Sequence, residues 1–173
     1  MTTMQDNQTS PSTTDRIERA TIEADPNVPT CRIVRDFDAP PAKVFRAFTE
    51  QALVEKWMGP RSVDMDITAW DATTGGRYRY DAVRDGEVIA SFYGSFHEVR
   101  QDERIVQTFT WEGMPDGVSL DTATFIDLGD GRTRVDQLSV LESMEARDGM
   151  LASGMETGVH EGYEKMDELL KSL

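Results

Sequence analysis

Residues 35–60 read RDFDAPPAKVFRAFTEQALVEKWMGP, and this stretch decides the fold. A strand ends at Phe37 and the pair Pro40-Pro41 turns the chain. Proline has no N–H to lose in a first helical turn, so a helix starts here. Asp38 stands where an N-cap carboxylate is expected. Val44, Phe45, Ala47 and Phe48 follow at helical spacing, and that helix ends near Thr49-Glu50. A second short helix runs over 51–57 and stops at Gly59-Pro60.

Upstream, residues 31–37 alternate as a strand, and 16–25 alternate weakly, consistent with a first strand. Asp25-Pro26-Asn27 lies between them as a turn signal, so the two are expected to form a hairpin at a sheet edge. Residues 1–15 are Thr, Ser, Gln and Asn with almost nothing apolar, and read as a flexible tail ahead of one domain over 16–173.

Downstream comes a series of strands. Val63, Met65 and Ile67 alternate with Asp64 and Asp66, and Tyr78, Tyr80 and Ala82 with Arg77, Arg79 and Asp81. Asp85-Gly86 is a hairpin signal. Residues 88–99 form a long strand in which Gly94 marks a bulge or bend. Residues 104–111 put Phe109 and Trp111 on one face, and 120–128 and 133–141 pair across Gly129-Asp130-Gly131. From Ser143 the period becomes helical. A short helix over 144–153 precedes a longer one to 173, with Met155, Val159, Met166, Leu169 and Leu170 on its apolar face. Gly154, Gly158 and Gly162 recur every four residues there, which points to close approach to the sheet or to room left for something. The fold class is therefore α+β: a curved antiparallel sheet wrapped around a long C-terminal helix, with two short helices after the first strand, a helix-grip arrangement. Such a geometry leaves space for an apolar pocket between helix and sheet.

Bulk properties narrow the function. There are 18 basic and 32 acidic residues, a net charge of −14, and no cluster of Lys and Arg. That argues against nucleic acid and against anionic membrane surfaces. The one cysteine, Cys31 in an expected edge strand, excludes an internal disulfide and a multi-cysteine zinc site. The start MTTMQDNQTSPSTTD has neither the basic nor the apolar part of a secretory signal, and no apolar run nears the ~18 residues of a membrane span. A cytoplasmic soluble protein without membrane insertion is expected.

The motifs FDAPPAKVFRAFTE, KWMGP, GGRYRYD, GSFHEV with ERIVQTFTWE, and GVHEGYEKMDELL stand in this order over residues from about 30 to 173. Together they resemble the activator-of-Hsp90-ATPase-homologue-like family of the START/Bet v 1-like superfamily. The resemblance implies the helix-grip fold, a central cavity and frequent homodimerisation. The superfamily also contains polyketide cyclases, aromatases and lipid carriers. Trp57-Met58 stands where the family usually has paired aromatics, and Gly162-Tyr163 where it has Gly-Trp. The Asn- and Trp-rich N-terminal motif of the eukaryotic Hsp90 activators has no counterpart in residues 1–30, so the family name is not an activity here.

Candidate chemistry is sparse. His97 lies on the long strand and His160 on the terminal helix, and each reads as an ordinary histidine or as an acid–base group. No HxxxH spacing suggests a metal, and no GxGxxG, GxxxxGK[ST] or GxSxG suggests a cofactor or a serine nucleophile. No cofactor is expected. The aromatics are stronger candidates. Trp57, Tyr78, Tyr80, Tyr93, Phe96, Phe109, Trp111 and Tyr163, with Met155 and Val159, read as the walls of a ligand cavity or as plain core. Met150 and Met166 add adaptable surface. The first expectation is a module binding a small lipophilic or aromatic molecule. A cyclase- or hydrolase-like enzyme using a cavity His or Tyr is the second, and a protein-partner role such as Hsp90 association the third.

Overall fold

The computed structural model describes residues 16–173. The expected N-terminal tail, 1–15, lies outside the described residues. Strands β1 (Thr21–Ala24) and β2 (Thr30–Phe37) form a hairpin, followed by helices α1 (Pro41–Thr49) and α2 (Gln51–Trp57). Six strands come next: β3 (Asp64–Trp70), β4 (Arg77–Arg84), β5 (Glu87–Arg100), β6 (Arg104–Trp111), β7 (Ser119–Gly129) and β8 (Arg132–Val140). Helices α3 (Met144–Ala152) and α4 (Met155–Leu170) close the chain.

All eight strands make one antiparallel sheet in the order β1-β2-β8-β7-β6-β5-β4-β3. The β1–β2 hairpin is at the edge, as expected, but β1 is the edge strand. Cys31 sits one strand in, buried opposite Ser139 of β8. Only Thr21–Ala24 of the weakly alternating 16–25 is regular strand. Ahead of it, the Ile17 N–H donates to the Asp36 carboxylate at 2.8 Å and the Ile17 carbonyl accepts from the Asp36 N–H at 2.9 Å.

Helix α1 begins with Pro41 in its first turn and Pro40 as N-cap. Asp38 does not cap it. It lies two residues ahead of the N-cap Pro40, and its carboxylate accepts from Arg16 at 2.7 Å. Phe45 and Phe48 of α1 meet Phe125 of β7 edge-on at 5.4 and 5.2 Å. The helix pair is tied to the far edge by Trp70 of β3, whose indole N–H donates to the Thr49 carbonyl at 2.6 Å.

Helix α4 is fixed by its second half. The Arg35 guanidinium of β2 grips Asp167 with both nitrogens and lies 4.6 Å from the Phe37 ring centre. Tyr163 meets Phe37 edge-on at 5.1 Å and donates its hydroxyl proton to Gln137 of β8. Met166 and Leu170 are buried. Gly154 is not part of the helix, as its spacing suggested. It is the left-handed N-cap, with φ +85°, where α3 turns into α4. Gly158 and Gly162 do give close approach, but toward the end of α2 and the Gly59-Pro60 turn rather than toward the sheet.

Candidate functional site: the inner face of the sheet

Strand alternation decides what faces α4. The inner face carries Tyr78 and Tyr80 of β4, Phe92, Gly94 and Phe96 of β5, Gln107 and Phe109 of β6, and Ser119, Asp121 and Ala123 of β7, as their mutual register requires. The rings form a ladder across three strands. Tyr78 and Tyr80 stack at 6.2 Å, Tyr80 and Phe92 lie 5.2 Å apart, and Phe92 stacks on Phe109 at 5.3 Å. Trp70 and Phe96 pack against its buried end, Phe96 at 5.3 Å from Tyr78.

Gly94 explains how the ladder lies flat. A side chain there would stand 2.0 Å from the Thr108 carbonyl and 2.6 Å from the Tyr78 hydroxyl. Its absence lets that hydroxyl donate to the Thr108 carbonyl at 2.6 Å while accepting from Gln107 at 3.2 Å. So Gly94 marks a close approach rather than the bulge expected from its type. The register of β5 against β6 shifts between Phe96 and Glu98 instead.

The two tyrosines differ. Tyr78 is bonded at both ends of its hydroxyl, whereas Tyr80 makes no side-chain hydrogen bond among the described residues. No buried side-chain oxygen or nitrogen there lacks a partner. The Tyr80 hydroxyl therefore keeps a small contact with solvent, although its ring is buried. Phe92, Phe109, Met155 and Val159 pack on the core and keep partial exposure. These four residues are the partly exposed apolar positions of the ladder and of the first half of α4.

The ladder leads to Asp121, opposite Gln107 on β6 and Ser139 on β8. Burial pushes this carboxyl above the ordinary range, and hydrogen bonds from Ser139 and Ser119 only partly oppose it. The Ser119 hydroxyl is 3.1 Å from it. Burial, assisted by the Asp121 charge, also raises Tyr80, and burial with Tyr80 and Asp121 raises Tyr78. Both phenols stay protonated across the physiological range, so Tyr80 offers a hydrogen-bond donor rather than a base.

The expected cavity residues divide. Tyr78, Tyr80, Phe96 and Phe109 are brought together around the ladder, and Met155 and Val159 of α4 are partly buried against the same core. Trp57 and Tyr163 lie apart from the ladder. The Trp57 indole N–H donates to the Ala47 carbonyl at 2.7 Å, and its ring packs on Phe48 at 5.0 Å and Tyr163 at 6.0 Å. Tyr93 is 41% exposed on the outer face, paired with Arg79 and Thr110 across the strands. Trp111 has the inner register but is 45% exposed at the strand end, with its ring over Gly113. His97 is exposed, and His160 lies 3.4 Å from Glu156 one turn earlier on α4. Phe92, Gln107 and Asp121 were not anticipated. Period-2 counting from Tyr80 through the hairpin finds Phe92, but Asp121 needs the β6–β7 register. Two cavities, of about 300 and 290 Å³, lie elsewhere, one between α1 and the β5–β6 turn and one beside Arg35 and Asp167.

Among the described residues no helix is long and apolar enough to cross a membrane. No curated protein matches the chain in sequence. Solved structures do match it. A Rhodobacter sphaeroides protein superposes with TM-score 0.80 at 23% identity, covering 89% of this chain and 99% of its own. Ms6760 from Mycobacterium smegmatis gives 0.79 at 25%, covering 89% and 98%. An Arthrobacter aurescens protein gives 0.79 at 25%, covering 88% and 92%. These likenesses agree with the helix-grip arrangement of sheet and helices. The model of the family described as activator of Hsp90 ATPase homolog 1-like protein matches residues 38–171. The chain therefore belongs to the activator of Hsp90 ATPase homologue 1-like family.

Proposed function

We propose that the protein binds a small lipophilic or aromatic molecule between the ring ladder and the first half of α4. The observation that carries this reading is Tyr80: a buried ring whose hydroxyl has no hydrogen-bond partner among the described residues, next to the partly exposed Phe92 and Phe109. Flat apolar walls with a few polar tips suit such a ligand. Native mass spectrometry of protein purified from its host is expected to find a small molecule bound. The neutral dye Nile red is expected to brighten on wild-type protein and much less on Val159→Phe, which enlarges a side chain of the first half of α4. Absence of any carried molecule, together with dye binding indifferent to Val159→Phe, would overturn the reading.

Acid–base catalysis is a second reading, favoured by the raised Asp121 carboxyl. It is offered in place of the cavity His or Tyr that a cyclase-like enzyme was expected to use: His97 is exposed and His160 lies beside Glu156. A turnover assay with aromatic polyketide or ester substrates tests it. Activity abolished by Asp121→Asn supports it, and activity unaffected by that change overturns it.

A further inference from the structure

We propose that this site selects a cationic aromatic molecule, an amine or quaternary ammonium on a flat apolar body, with its charge against Asp121. This rests on the small-molecule reading above and adds the ligand's charge. Asp121 enters the inner face, and among the described residues no cation pairs with it. Its partners among the described residues are the hydroxyls of Ser119 and Ser139. Of the arginines on β2, β6 and β8, Arg32 pairs with Asp136, Arg35 with Asp167, Arg104 with Glu98 and Arg134 with Asp36, while Arg132 stands at the far end of β8, opposite Gly129. Arg147 turns its guanidinium to the carbonyls of Asp25, Val28 and Thr30.

Asp121 is partly buried; a carboxylate drawn from water without a counter-charge is costly, and a ligand that supplies the charge recovers part of that cost. A neutral ligand leaves the carboxylate as it was, and an anion adds repulsion. The route to Asp121 runs along the faces of Tyr80, Phe92 and Phe109, and ring faces attract cations. The net charge of −14 raises the local concentration of cations around the whole molecule.

Three probes of one shape test this on the full chain: 10-methylacridinium as cation, acridine in mildly alkaline buffer as neutral isostere, and acridine-9-carboxylate as anion. The cation is expected to bind about tenfold tighter than acridine, and the anion weaker than both. Asp121→Asn is expected to erase the difference between cation and neutral probe while keeping acridine binding. Glu23→Gln, the same charge loss on exposed β1, is expected to leave the difference intact. If acridine binds and the cation binds no tighter, or if both variants lower the preference equally, the charge assignment falls and small-molecule binding stands. If no probe binds to folded wild-type protein, both readings fall. Should Asp121→Asn not fold, the ranking of the three probes on wild type decides.

Discussion

Gly162 in α4 faces the carbonyl oxygen of Trp57 at the end of α2, and a Cβ at 162 would stand only 3.1 Å from it. The nitrogen and oxygen of Gly59 follow at 3.5 Å each. These are backbone atoms that cannot rotate away. The two ends of the domain's signature, KWMGP and GVHEGY, are thus two sides of one contact.

Gly162→Ala is expected to destabilise the protein by about 1 kcal/mol, because displacing the α2 terminus outweighs the usual helical gain from alanine. Gly158→Ala has the opposite sign. Its Cβ would meet the Pro60 ring at an ordinary 3.6 Å, so a gain of about 0.5–1 kcal/mol is expected. Urea unfolding of the two variants side by side checks both.

At Gly94 no accommodation exists. An alanine Cβ would overlap the Thr108 carbonyl and displace the Tyr78 hydroxyl. Gly94→Ala is expected to cost more than about 3 kcal/mol, read as a large fall in melting temperature or as failure to fold.

The tyrosines allow a cleaner comparison. Tyr78→Phe removes a donor from the Thr108 carbonyl and an acceptor from Gln107, and is expected to cost about 1–2 kcal/mol. Tyr80→Phe removes a hydroxyl with no protein partner and is expected to stay within about 0.5 kcal/mol of wild type. Equal losses in denaturant titrations would contradict the assignment.

Asp36 and Arg134 sit directly opposite each other on β2 and β8, with side chains 3% and 5% exposed. Burial pushes the Asp36 carboxyl up. Hydrogen bonds from Arg134 and the Ile17 N–H, with the Arg134 charge, outweigh that and hold it below the ordinary value. A depressed carboxyl contributes stability that is full above the unfolded pKa of about 4 and fades as pH falls through the lower folded value. Asp36→Ala is expected to cost about 3 kcal/mol at neutral pH. It is also expected to flatten the acid limb of the stability profile, which thermal melts from neutral to strongly acidic pH would reveal.

Local chemistry made most of the architecture readable. Pro40-Pro41 set the start of α1, Asp85-Gly86 placed the β4–β5 hairpin, and the change of period after Ser143 gave the terminal helices. Tyr78 and Tyr80 were legible as inward because Arg77, Arg79 and Asp81 alternate with them. Residues 119–125 were harder. Leu120 faces outward, 45% exposed, while Asp121 faces in, against the hydrophobic order of the two. The register is fixed by Ala123 and Phe125 further along the strand. The partners of Gly158 and Gly162 were hidden for another reason, since about a hundred residues separate them from Trp57 and Pro60 and only folding brings them together.

Helix α4 is held like a cantilever. Its clamps fall at Gly162, Tyr163, Met166 and Asp167, whereas Met155 and Val159, which follow a left-handed glycine, are only partly buried. Bending the sheet would strain a continuous ladder of backbone bonds, but unwinding the first turns of α4 gives up only a few. On the proposed binding, a bulky guest would enter by fraying that end. Backbone amides at 155–159 should exchange with deuterium well before those at 163–167, and slow down once the proposed site is filled.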